Sequence, residues 1–242
     1  MYSVEVKNLT FGYPRGDPLL RDISFAVAEG EVLAIAGRSG CGKTTLCRIL
    51  CGIIPHAIKG VLNGEVMVSG LYTVKTSLPK ISQLVGMVFQ DADSQIICST
   101  VEDEIAFALE NFCVPPGEIR HRVDELLAEF NLNALRHVDP ARLSDGQKKI
   151  LTIAAVLAAS PGLLILDEPM SGLDGDNRRL VADVIKRQRD VGCTVVVVEH
   201  DLKTVMFADR WLLVNDGSIA ALGAPVEIMH DEKLLADLGV LA

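Results

Sequence analysis

The stretch that most constrains this chain is GRSGCGKT, Gly37 to Thr44. It fits the pattern G-x-x-x-x-G-K-[ST] and follows VLAIAG, an apolar run that reads as a buried strand. The apolar spacing of Leu46, Ile49 and Leu50 after it predicts a helix. Strand, glycine-rich turn and helix in that order gather backbone N–H groups into one concavity over the positive end of a helix, which suits phosphate. Gly37, Arg38, Ser39, Gly40, Cys41 and Gly42 would form the cradle, with Thr45 completing the nucleotide-binding set. Lys43 would reach the β- and γ-phosphates, and the Thr44 hydroxyl would ligate Mg²⁺.

The rest of the chain agrees with such a fold. SVEVKNLTFGY and DISFAVAEGEVLAIAG alternate like strands, with EGE as the turn, and GEVMVSG and LVGMVFQ read as two more. After Gln90 the pattern becomes helical. Thr100 is placed to cap a helix with Asp103 at its third position, PPGEIRHRVDELLAEFNL is an amphipathic helix entered through prolines, and Ser144 opens a long helix to Ala159. LLILDEP and CTVVVVEH are then buried strands flanking a helix from Asp174 to Asp190. DLKTVMFAD reads as a short helix and WLLVNDGSIAAL as a hairpin around Asn215-Asp216-Gly217. The expected fold class is α/β: a mainly parallel sheet core with an N-terminal antiparallel β part and a helical insert. It is read as a single domain, residues 1–242, whose nucleotide-binding core comprises 1–90 and 161–242 and whose helical part is 91–160.

LLILDEP supplies the second half of a nucleotide site. Asp167 ends an apolar strand where it would hold Mg²⁺ through water, and Glu168 would orient or deprotonate the attacking water. Two carboxylates at a sheet end also suit turn capping; the upstream phosphate loop favours catalysis. The longest apolar runs, LTIAAVLAA and CTVVVV, are too short to span a bilayer, and MYSVEVKNLT lacks the marks of a secretory signal. A cytoplasmic protein is expected. The net charge of −9 argues against nucleic acid as a partner. Cys41, Cys47, Cys51, Cys98, Cys113 and Cys193 show no metal or disulfide spacing; Cys47, Cys51 and His56 fit buried thiols better than a metal site.

Gln90 ends VFQ and His200 ends VVVVEH, LSDGQ (Leu143 to Gln147) precedes LLILDEP, and SGLD follows it. This order resembles the nucleotide-binding subunits of ABC transporters, over nearly the whole chain. The resemblance implies that Tyr13 stacks on the adenine of ATP, and that Gln90 touches Mg²⁺ and the attacking water. It makes His200 the switch histidine at the γ-phosphate, and Ser171, Gly172, Leu173 and Asp174 the D-loop. It further implies that Ser144, Asp145, Gly146 and Gln147 act in trans, covering ATP held by another chain. A homodimer and a pairing with a related ATPase both stay open. Asp145 departs from the commoner LSGGQ and brings a carboxylate near ATP, which puts the tightness of the closed dimer in question.

VFQDADSQIICSTVEDEIAFALEN is similar to the ATPases of energy-coupling-factor (ECF) importers, through Asp93, Gln95, Thr100, Val101, Glu102, Ala106, Phe107 and Asn111. Ala92 replaces the usual proline. A groove receiving a basic amphipathic helix of a membrane partner is expected here, with Asp93, Gln95, Ile96, Glu102 and Phe107 lining it. The resemblance implies an ATP- and Mg²⁺-dependent peripheral ATPase at the cytoplasmic face. It would act with a transmembrane scaffold and a substrate-binding subunit in uptake of a vitamin or a transition metal ion. Another ABC transporter shares every catalytic residue. A soluble ABC ATPase acting on ribosomes or DNA usually carries two cassettes or long insertions, which this chain lacks.

Overall fold

The computed structural model describes residues 1–240. β1 (Tyr2–Gly12) pairs antiparallel with β2 (Leu20–Ala28), and β3 (Val32–Gly37) follows the Glu29–Glu31 turn into a second sheet. β4 (Val61–Val68) and β5 (Leu71–Tyr72) return to the first sheet, whose order is β2-β1-β4-β5. β6 (Val85–Val88), β7 (Leu163–Asp167), β8 (Thr194–Val198), β9 (Arg210–Asn215) and β10 (Ser218–Gly223) complete the second, in order β10-β9-β3-β8-β7-β6. Its strands are parallel from β9 to β6, and β10 closes one edge antiparallel through a two-residue hairpin.

The helices are α1 (Lys43–Leu50), the single turns α2 (Ile53–His56) and α3 (Leu78–Ile81), then α4 (Val101–Asn111), α5 (Pro116–Glu129) and α6 (Asp145–Ala158). α7 (Gly175–Asp190), α8 (Pro225–Ile228) and α9 (Glu232–Leu238) follow. DLKTVMFAD forms only a tight 3-10 turn, Leu202–Val205, capped by Asp201. Thr100 accepts the Asp103 N–H as expected, which starts α4.

Strand alternation divides the core in two. Val32, Ala34 and Ala36 of β3 face one cluster while Leu33 and Ile35 face the other, and β7, β8 and β9 alternate likewise. One cluster joins the large sheet to the antiparallel sheet and α1. The other runs without a break from the opposite face of that sheet into α4, α5, α6 and α7. Both faces being covered, the parallel strands read as continuous apolar runs. No helix among the described residues is long and apolar enough to cross a membrane.

The order β3-β8-β7-β6 sets side by side the four strand ends that release the phosphate loop, His200, Glu168 and Gln90. Convergence at the carboxyl ends of parallel strands is where open α/β sheets bind ligands.

Candidate functional site

The phosphate loop leaves β3 through Gly37, where a Cβ would stand 2.1 Å from the Val214 carbonyl oxygen of β9, so no side chain fits. At Gly40, φ is +80° and a Cβ would meet nothing within 4 Å, which leaves the mouth of the loop open. The buried Lys43 ammonium lies inside the loop, donating to the carbonyls of Gly37 (2.8 Å) and Arg38 (3.0 Å). Over it lies a cavity of about 220 Å³ lined by Ser39, Gly40, Gly42, Lys43, Thr44, Thr45, Leu19, Gln90, Glu168 and His200. Residues from four strand ends thus meet in one concavity. Arg38 and Cys41 face a neighbouring cavity on the loop's outer side, with Arg21 and Asp216. Burial pushes the Cys41 thiol up, against the pull of Lys43.

Asp167 is buried, and neither carboxylate oxygen has a hydrogen-bond partner. Burial raises its pKa first of all; the Thr44 hydroxyl beside it opposes the shift. An orphaned carboxylate next to a hydroxyl is a donor set with unmet demand for a hard cation. Glu168 is also buried and stands in the left-handed region at φ +54°. Its Oε2 accepts from Gln90 Nε2 at 2.8 Å, and its Oε1 lies 2.6 Å from His200 Nε2. Its backbone N–H donates to the Val198 carbonyl at 3.0 Å. Two residues distant in sequence, Gln90 and His200, therefore converge on the Glu168 carboxylate at the phosphate cavity.

LSDGQ forms a capping box. Ser144 Oγ accepts the Gln147 N–H (3.3 Å) and Gln147 Oε1 accepts the Ser144 N–H (3.0 Å), which opens α6. None of its residues lines the phosphate cavity of the same chain. Asp145 and Gly146 instead line a separate cavity of about 300 Å³ with Gln90, Asp91, Asp93, Lys148, Ser171 and Gly172. Asp145 is exposed, and the Lys148 ammonium close to it bonds Asp93 at 2.6 Å. In the D-loop, Leu173 is buried and Asp174 caps α7 through the Asn177 N–H at 2.8 Å.

Sequence reasoning missed two buried charges here. Lys149 Nζ donates to the carbonyls of Glu168 and Ser171, both at 2.9 Å. Glu199 Oε1 accepts the Met170 N–H at 2.8 Å, and burial raises its pKa to about 7. The helical phase of Ile150, Ile153 and Leu157 marks the inward face of α6 and is the signal by which Lys149 could have been found.

The residues expected to line the partner groove differ in their surroundings. β6 is the edge of the large sheet, and the Gln95 amide satisfies its free backbone by accepting from Phe89 N–H and donating to Met87 carbonyl, each at 3.0 Å. Gln95 is thus a half-buried tie between this segment and β6. Ile96 is half-buried against the core, Asp93 is held by Lys148, and Glu102 pairs with Arg136 and His137. Phe107 is 41% exposed. Glu102 lines a cavity of about 450 Å³ between α4 and α5, with Asp103, Ala106, Glu110, Arg120 and Arg136 among its walls. Tyr13 bonds Thr45 Oγ1 through its hydroxyl at 3.0 Å and meets Phe11 edge-on. His56 Nε2 bonds the Thr73 carbonyl, and no cluster of metal-ligating groups occurs among the described residues.

A family model described as ABC transporter matches residues 20–171. The energy-coupling factor transporter ATP-binding protein EcfA of Methanosarcina acetivorans is 38% identical over 232 residues, 96% of this chain and 83% of that protein. EcfA1 of Lacticaseibacillus paracasei is 40% identical over 239 residues, 98% of this chain and 84% of that one. The structure of cbiO1 from Clostridium perfringens, part of the ABC transporter complex cbiONQ, superposes with a TM-score of 0.81 at 30% identity. That alignment covers 98% of this chain and 94% of that one. A bacterial Atm1-family ABC exporter with ATP bound, 24% identical with a TM-score of 0.84, shares the fold over 97% of this chain and 41% of its own.

Proposed function

Because the chain belongs to the ABC transporter family and is an ATP-binding ATPase, we propose that it drives an ECF-type importer from the cytoplasmic face of the membrane. The carrying observation is the Glu168 carboxylate, held between Gln90 and His200 at the rim of the phosphate cavity. In this reading Glu168 takes a proton from water attacking the γ-phosphate, and His200 and Gln90 orient that water and sense the phosphate. The N–H groups of the phosphate loop and Lys43 hold the β- and γ-phosphates, and Tyr13 packs against adenine. Thr44, Gln90 and Asp167 would hold Mg²⁺, which the orphaned oxygens of Asp167 fit, and the ion would supply charge neutralisation at the phosphates.

LSDGQ completes the site of a second chain. Its absence from the walls of its own phosphate cavity and its place at an exposed helix N-terminus support that reading. ATP binding closes the dimer and hydrolysis reopens it, while the helical part 91–160 moves against the α/β core and carries the motion to a transmembrane scaffold. The cargo, a vitamin or a transition metal ion such as cobalt or nickel, is selected by a separate membrane subunit. Likeness to the ATP-binding proteins of energy-coupling factor transporters supports this assignment over other ABC transporters.

The test is purification of the Glu168→Gln chain with ATP and Mg²⁺ from gently solubilised native membranes, with mass spectrometry of what accompanies it. A helical transmembrane scaffold with a small, very hydrophobic subunit is the expected result; ribosomal or DNA-associated proteins alone would overturn the transporter reading. The same variant should bind ATP while its turnover falls by at least about 100-fold, as loss of a general base does.

A further inference from the structure

The turn from Glu168 to Ser171 is gripped from both sides by buried charges. From α6, the Lys149 ammonium reaches the carbonyls at its two ends; from the end of β8, the Glu199 carboxylate takes the Met170 N–H at its middle. Lys149 and Glu199 are 8% and 5% exposed. Desolvating an ammonium is costly, and what this one returns to stability is the satisfaction of two backbone carbonyls, both of them on the turn that carries Glu168. The turn itself begins with Glu168 in a left-handed conformation that an L-residue adopts only when its surroundings impose it. Lys149 lies one helical turn beyond Asp145 on the same α6, so whatever displaces the LSDGQ end of that helix displaces the ammonium too.

We infer that Lys149, opposed by Glu199, is a positioning residue that fixes the turn bearing Glu168 and ties its geometry to the helix that opens with LSDGQ. The inference rests on the reading of Glu168 as the base. It gives each chain an internal link: engagement of its LSDGQ with ATP on a second chain adjusts its own hydrolytic carboxylate. Neither residue lines the phosphate cavity of its own chain, so removal of the link changes the chemical step and leaves the affinity of that cavity for ATP in place.

The experiment compares wild type, Lys149→Met, Lys149→Gln and Glu168→Gln as purified full chains, with steady-state ATPase rates, ATP binding by calorimetry and thermal melting. A misplacement of the base by about 1 Å costs on the order of 100-fold in rate. Lys149→Met is expected to lose tenfold or more in kcat while its Kd for ATP stays within threefold of wild type. Lys149→Gln, able to reach one carbonyl, is expected to fall between them. A folded Lys149→Met with wild-type kcat, or one whose loss lies wholly in Kd, overturns the inference. Should Lys149→Met not fold, Lys149→Gln decides: a severalfold loss in kcat at unchanged Kd supports the link, and an unchanged kcat overturns it. Undiminished hydrolysis by Glu168→Gln would instead overturn the assignment of the base, a distinct result.

Discussion

Glu199 is the residue whose chemistry is least visible in the string VVVVEH, where it reads as the polar end of a strand. Burial raises its pKa from 4.5 to about 7; Lys149 on α6 and the N–H groups of Met170 and His200 oppose that, and Glu168 adds to it. Between those values the folded chain holds a proton that the unfolded chain has released. Stability from this group is therefore full below pH 4.5 and is lost as pH rises through about 7, on the order of 3 kcal/mol in all. Glu199→Gln, which keeps an acceptor for Met170, should remove this slope and melt higher than wild type at pH 8. Thermal melts from pH 5 to 8 test it; parallel curves for the two proteins would refute it. By contrast Lys43, Asp167 and Glu168 stand in short patterns that suit phosphate and Mg²⁺, while His200 is singled out only through the resemblance to ABC transporter subunits. Lys149 shows only in the helical phase of α6, and Glu199 answers to what packs around it, which no local pattern reports.

At the scale of elements, the strands were legible because both faces of the large sheet are covered, which leaves unbroken apolar runs. Helix starts were legible through their caps at Thr100, Ser144 and Asp174. The edge of β6 was not. A glutamine between Ser94 and Ile96 says nothing of the strand it completes, and the pattern around it suggests only a wall of a partner groove. Its two hydrogen bonds restrain the segment that follows Gln90 against β6. Gln95→Ala should cost about 1–3 kcal/mol by urea unfolding, since two backbone groups lose their partner, and should lower kcat by freeing Gln90. An unchanged kcat would mean that Gln90 is placed by its contact with Glu168 alone.

For the molecule as a whole, the partner face is the part least written in the chain, because its physical meaning lies in a surface another protein supplies. Phe107 on α4 is a large apolar side chain left partly to solvent, near the exposed Ile97 in the chain. Phe107→Asp should leave stability within about 0.5 kcal/mol and the ATPase of the isolated chain unchanged, while transport by the assembled complex falls at least tenfold. Persisting transport would move the partner face elsewhere, the α4–α5 cavity being the next place to look.

The bond between Asp93 and Lys148 joins the place where the chain leaves the large sheet for α4 and α5 to the place where it comes back on α6. That excursion is rooted at the rim of the cavity that Asp145 and Gly146 line, α6 continues from there down the sheet to β7, and Glu129 at the end of α5 is tied to Arg187 of α7. With both roots side by side, a push on the hairpin would arrive at the rim as a tilt, with no strand having to slide. The same arrangement works as a socket. A chain with another α4–α5 hairpin on the same two roots would keep its engine and answer to a different machine.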